Sequence, residues 1–337
     1  MQALVCNAPG QLVIEDRPAP KAAAGEVLVK IRRIGICGTD YHIYEGNQPF
    51  LSYPRVMGHE LAVEVAENNT GGGPAVGQVC VVNPYLSCGT CIACRRGKPN
   101  CCTRIEVLGV HRDGGMTQYL SLPVGNLIVA DDLGVDECAM VEFLAIGAHA
   151  VRRGFVTSAD RALIIGAGPI GLGVALFATL SGAEVTVMDL DADRLEVARR
   201  LCGVHNTIRA DADPLEQAAA LTGGDGFDVV FDATGSRKSI ETGFSYACHG
   251  GRYVLVSVVQ GAISFTDAEF HRKELTLLGS RNATGEDFDR VVATFRDGRI
   301  RSSEWITHRT TLAGAASDLP RWAREKRGLV KAMIEMP

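Results

Sequence analysis

Residues 88–102 read CGTCIACRRGKPNCC, in which Cys88, Cys91, Cys94 and Cys102 follow the spacing C-x2-C-x2-C-x7-C. Four thiolates on one compact loop can enclose a tetrahedral zinc and leave no open position, as structural sites do. On spacing alone Cys101 would serve as the fourth ligand equally well. Thioredoxin-like redox chemistry is the poorer reading, because no strand-to-helix unit follows the motif. A nucleic-acid finger is poorer still, with no histidine pair and no recognition helix.

A second set lies upstream. GICGTDYH at residues 35–42 and GHE at 58–60 offer Cys37 and His59, a thiolate and an imidazole that suit zinc, with Glu60 adjacent. Glu142, in MVEFLAIGAH, is a further oxygen donor. Fewer than four obligatory protein ligands would leave a position for water or substrate. Taken by themselves, these residues also read as a buried cysteine and a surface histidine.

A third set is GAGPIG, comprising Gly166, Ala167, Gly168, Pro169, Ile170 and Gly171. It follows the apolar run Ala162–Ile165 and opens a small-residue helix. Glycines there permit a tight turn and let a pyrophosphate approach the backbone, where the helix N-terminus favours its charge. The next strand, EVTVMDL, ends at Asp189, near the separation at which a carboxylate meets the ribose hydroxyls of a dinucleotide. A carboxylate repels a 2′-phosphate, so NAD is expected over NADP.

The elements that must position these groups change in texture along the chain. The first third alternates apolar and polar residues in GEVLVKIRR and RVMGHELAVEVAE, with dense Gly and Pro, and reads as irregular β structure. From about residue 160, strands and helices alternate: RALIIGAG, EVTVMDL, the helix DRLEVARRL, FDVVFDATG and GRYVLVSVV. That order predicts an α/β fold with a doubly wound parallel sheet. After ELTLLGSR come the amphipathic DFDRVVATFRDGRI, a helix near 313–324 and a closing strand LVKAMIEM.

With 337 residues, 46% of them hydrophobic, the chain has material for two cores. A net charge of −5 and a pI near 5.9 argue against nucleic acid or an anionic membrane surface as partner. The run Ala162–Ala183 is uncharged and long enough to span a bilayer, but its glycines divide it into a strand and a helix. The first twelve residues have no basic segment leading into an apolar one, so no secretory signal is expected. Eleven cysteines then imply a reducing compartment, the cytoplasm, where clustered thiols bind metal.

GICGTD, GHE, the four-cysteine segment, GAGPIG and the Asp189 strand occur in the order and spacing of the zinc-containing medium-chain alcohol and polyol dehydrogenases, which this chain resembles over nearly its whole length. The resemblance implies a mainly β GroES-like catalytic domain, split into residues 1–147 and 286–337, around a Rossmann domain at 148–285. It also implies two Zn2+ per subunit. One is structural, in a lobe near 84–105, with Cys102 as fourth ligand; the other is catalytic, at Cys37 and His59. EFLAIGAHA is similar to the segment in which sorbitol and threonine dehydrogenases carry Glu in place of a second Cys, so Glu60, Glu142 or water remains open as the third partner.

The implied reaction is oxidation of a secondary alcohol to a ketone with NAD accepting hydride. Thr39 matches the first proton relay and His42 a later one, while Asp40 matches the carboxylate that orients the zinc-bound histidine. Bland alternatives stand beside each: a turn cap, a helix cap and a solvated loop residue. Lys331 aligns with a basic residue that meets the cofactor pyrophosphate in relatives, with a surface lysine as the alternative, and Arg194 is a candidate to lie along the adenine or to pair with acidic neighbours. Arg281 and Asn282, in GSRNAT, are candidates for substrate recognition or for loop hydrogen bonding. His149 reads as a satisfied core histidine. Short segments such as EGNQPF and DAEFHRKE resemble those of sugar-acid dehydrogenases in this family, which implies a sugar acid as substrate, with a polyol or L-threonine as the rival. A homodimer or homotetramer is implied. A non-catalytic NAD sensor is the alternative outside enzymes, and it would tolerate loss of Cys37 or His59.

Overall fold

The computed structural model describes residues 1–325 and 327–337 and divides the chain into two compact units, Met1–Phe143 with Thr284–Pro337, and Leu144–Ala283. The first boundary falls inside the helix Val135–Arg153.

In the unit formed by Leu144–Ala283, six strands lie in the order Asn206–Arg209, Glu184–Asp189, Arg161–Ile165, Phe227–Asp232, Ala247–Leu255, Thr276–Gly279. Every neighbouring pair is parallel. This is the doubly wound order, whose direction of winding reverses beside the first strand, Arg161–Ile165. That strand is covered on both faces, which is why it reads as a continuous apolar run rather than an alternating one. The helix Pro169–Leu180 that follows is buried from Gly171 to Ala178. The uncharged stretch at 162–183 is thus a strand, a turn and a helix inside a core. Among the described residues, no helix is long and apolar enough to cross a membrane. Asn206–Arg209 and the helix Pro214–Thr222 were not anticipated from sequence.

The other unit centres on a mixed sheet ordered Leu127–Val129, Val79–Val82, Glu60–Asn68, Glu26–Ile36, Lys331–Glu335, Ile306–Thr311, with Tyr119–Pro123 pairing onto Glu26–Ile36. Its apolar side packs on Leu4, Ile31, Ile34, Val63, Leu319 and Trp322, so residues from both ends of the chain share one core. Gly35 pairs with Glu60, and Ile36 pairs with Ala332. These two registers set the ends of three strands, from three distant parts of the sequence, side by side.

Candidate functional site

Cys37 comes directly after the strand Glu26–Ile36, and His59 directly before the strand Glu60–Asn68. The Gly35–Glu60 pairing therefore brings the two turns together. Cys37 also caps the helix Gly38–Glu45, whose third residue, Asp40, is fully buried. The Asp40 carboxylate accepts from the Cys37 amide at 2.9 Å and from the Gly58 amide at 3.2 Å, tying the two turns to one side chain. Donor atoms of Cys37, His59 and Glu60 consequently lie within 4.8 Å of one another.

The chemistry of this set fits a divalent cation. Among the described residues, His59 Nδ1 and Glu60 Oε1 are buried without a hydrogen-bond partner, an arrangement that costs free energy unless a ligand satisfies it. Burial alone would push the His59 imidazole down; the Cys37 thiolate, then Glu142 and Asp40, carry it well above its ordinary value instead. The site holds an excess of negative charge that zinc would balance. Burial pushes the Asp40 carboxyl up, opposed by His59 and by the two amides it accepts from.

Glu142 projects from the helix Val135–Arg153 and is buried, but it is outside the three-residue donor group. It accepts a hydrogen bond from the hydroxyl of Tyr85, a residue that carries no motif in the sequence. Burial raises the Glu142 carboxyl, and His59 works against that rise.

The side chain of Lys331, expected at a cofactor pyrophosphate, is 1% exposed and pairs within its own unit. The ammonium pairs with Glu60, donates to the Ile36 carbonyl at 3.1 Å and lies 4.3 Å from the centre of the Phe143 ring. A buried ammonium must be paired, and the strand register supplies its partners here. Gly35 makes the room: a Cβ there would overlap Glu60 Oε2 and press on Lys331 Cε at 3.1 Å.

Thr39 Oγ1 lies 3.7 Å from the Cys37 sulfur, one residue into the same helix. His42 is three residues further on, exposed, with Nδ1 3.8 Å from Glu45.

In the cysteine lobe the four clustered sulfurs are those of Cys88, Cys91, Cys94 and Cys102, again within 4.8 Å. Cys101 is exposed and outside the group. Amides pre-aim at the sulfurs: Cys88 N and Arg104 N donate to Cys102 Sγ at 3.3 Å, and Cys91 N donates to Cys88 Sγ at 3.4 Å. Donors around Thr90, with the Arg104 side chain, hold the Cys88 thiol down at about 5, and amides of Cys94 and Thr103 hold Cys91 at about 6. Desolvation, with the neighbouring thiols, pushes Cys94 up to about 11. The donor set matches a closed tetrahedral zinc site.

The glycine loop behaves as a phosphate cradle should. Gly166 has φ +99°, open to glycine, and a Cβ on Gly171 would overlap the Gly166 carbonyl oxygen. Gly168 caps the helix with Pro169 as its first residue, and apart from its chain neighbours no heavy atom of the described residues lies within 4 Å of where a Cβ of Gly168 would stand. Ile170 follows, partly exposed. Asp189 is fixed to this loop: Oδ2 accepts from the Ala167 amide at 2.7 Å and Oδ1 from the Asp191 amide at 2.9 Å. Arg194 is half-buried on the helix Ala192–Cys202. Arg281 is exposed, and Asn282 has φ +54°, a left-handed conformation that asparagine tolerates and that accounts for its type without a ligand. His149 is buried with Nδ1 3.2 Å from Arg152.

Comparison with known proteins gives a consistent picture. The model of the alcohol dehydrogenase GroES-like domain matches residues 23–132, and that of the zinc-binding dehydrogenase matches residues 169–297. The chain is 42% identical to L-galactonate-5-dehydrogenase of Escherichia coli K12, over 99% of this chain and 98% of that protein. Among solved structures, rspB of Escherichia coli CFT073, an alcohol dehydrogenase complexed with NADH, superposes with a TM-score of 0.93 at 31% identity, covering 100% of this chain and 99% of that one. A zinc-binding dehydrogenase of Sinorhizobium meliloti bound to NADP superposes with a TM-score of 0.91 at 26% identity, covering 99% of each.

Proposed function

The chain belongs to the zinc-binding alcohol dehydrogenase family, and on that premise we propose that it oxidises a secondary hydroxyl of a sugar acid, L-galactonate, to a ketone with NAD as acceptor. The observation that carries the reading is the buried, partly unpartnered donor group of Cys37, His59 and Glu60 in a chain 42% identical to an L-galactonate-5-dehydrogenase.

Cys37, His59 and Glu60 would hold the catalytic zinc, which as a Lewis acid lowers the pKa of an alcohol and so favours loss of its proton. Cys88, Cys91, Cys94 and Cys102 would hold a second zinc that fixes the lobe. Asp40 keeps the Cys37 and His59 turns at one spacing through the amides of Cys37 and Gly58. Thr39 Oγ1, beside the Cys37 sulfur, is the first hydroxyl to take the substrate proton as it releases its own, and His42, which faces solvent, is a later relay. Gly166, Gly168 and Gly171 leave backbone open to the pyrophosphate of NAD, the hydride acceptor. Asp189, held by two amides, presents a carboxylate that repels a 2′-phosphate and so selects NAD.

The test is NADH formation by zinc-replete protein offered L-galactonate, related hexonates, polyols and L-threonine, beside a Cys37→Ala control. Preference for L-galactonate that depends on zinc and on Cys37 is the expected result. Preference for a polyol or L-threonine would overturn the substrate, and NAD binding without turnover on any alcohol would overturn the enzyme reading.

A further inference from the structure

Two buried carboxylates, Glu60 and Glu142, approach one metal site, and the protein treats them differently. Glu60 belongs to the donor group with Cys37 and His59, and its Oε1 has no hydrogen-bond partner. Glu142 stands outside that group, next in the chain to Phe143, whose ring centre lies 4.3 Å from the Lys331 ammonium that pairs with Glu60, and its Oε1 is engaged by the Tyr85 hydroxyl. Both Tyr85 and Glu142 are buried, so neither can exchange this bond for one to water. The number of protein ligands matters here: three leave a tetrahedral zinc one open position for substrate, whereas four close it.

We propose that Tyr85 is a positioning residue that keeps Glu142 out of the metal's ligand shell, so that Glu60 is the only carboxylate ligand and the fourth position stays open. This rests on the reading that Cys37, His59 and Glu60 hold zinc. Without the hydroxyl, the buried Glu142 carboxylate loses its donor and its best remaining partner is the cation. The Tyr85 ring packs edge-on against Phe288, with centres 6.3 Å apart, so phenylalanine at position 85 preserves the packing while removing only the donor.

The experiment compares wild type, Tyr85→Phe, Glu142→Gln and the double variant, each loaded with Co2+ and read by ligand-field absorption and by chelator competition. The expected result is that Tyr85→Phe shifts the Co2+ bands and tightens the metal about tenfold. Both changes should vanish in the double variant, and Glu142→Gln alone should change neither. A Tyr85→Phe spectrum identical to wild type overturns the proposal. So does a shift that persists without Glu142, or a loss of metal in Glu142→Gln alone, which would make Glu142 a ligand from the start. Glu60→Gln separates this from the parent reading: unchanged metal affinity in that variant sinks Glu60 as a ligand, whatever Tyr85 does.

Discussion

Substituting Gly35 by alanine tests whether strand packing sets the metal site. The backbone of Gly35 is not left-handed, so alanine is conformationally acceptable and should gain about 0.4–1 kcal/mol through the unfolded chain. Space opposes it. The new Cβ would overlap Glu60 Oε2 and meet Glu60 Cβ at 3.0 Å and Lys331 Cε at 3.1 Å, with backbone on either side. If the carboxylate and ammonium shift together, overpacking costs about 1–3 kcal/mol. If they part, an unpaired buried charge costs about 3–5 kcal/mol. The net loss is therefore about 0–2.6 kcal/mol in the first case and about 2–4.6 kcal/mol in the second. Urea unfolding of zinc-loaded and chelator-treated protein distinguishes them, since parting the pair also moves Glu60 from its place beside Cys37 and His59. Metal content should then fall with stability. Gly35→Ala protein more stable than wild type, with metal content unchanged, would refute the packing argument.

Asp40→Ala strands the buried Gly58 amide and the part-buried Cys37 amide, and should cost about 1–3 kcal/mol or more together with metal at the Cys37–His59 site, measured by unfolding and metal analysis. Cys102→Ser should release the lobe's zinc, whereas Cys101→Ser, at an exposed position outside the cluster, should keep it. Cys88 and Cys91, at about 5 and 6, lie below the thiol's ordinary 9.0, so the stability they lend is full above about 9 and lost as pH falls through 6 and then 5. Zinc uptake by the lobe at pH 7 should accordingly displace a proton from Cys94, at about 11, and the fall in affinity with acidification should steepen below pH 6; a pH-independent chelator titration would contradict this. Asp189→Ala should narrow the preference for NAD over NADP about tenfold in kcat/KM, and an unchanged ratio would remove Asp189 as the selector.

What could be read from the chain was what is local in it. Four cysteines within fifteen residues announce a cage, and a glycine-rich turn between an apolar strand and a small-residue helix announces a phosphate site. The strand Asn206–Arg209 escaped notice because only Ile208 is buried, leaving no alternation to see. The partners of Lys331 escaped because they depend on register between strands from opposite ends of the chain. Tyr85 signalled only that a buried hydroxyl needs an acceptor; the acceptor is 57 positions away. Cys101 and Cys102 were equivalent by spacing, and burial separates them.

Lys331 and the Ile36 carbonyl it bonds are 295 positions apart, and the strand that carries Lys331 lies in the interior of its sheet. During synthesis, residues 144–283 emerge complete while the sheet beside Cys37, His59 and Glu60 still lacks that strand. Closing so long a loop is entropically slow, and until it closes Glu60 lacks the Lys331 ammonium and the edge at Arg33–Ile36 is bare. The nucleotide-binding unit is thus free to mature first, whereas the sheet of the other unit is complete only when Lys331–Glu335 joins it. A truncation or bulky tag at the last strand would therefore act first on yield and aggregation, and only then on turnover.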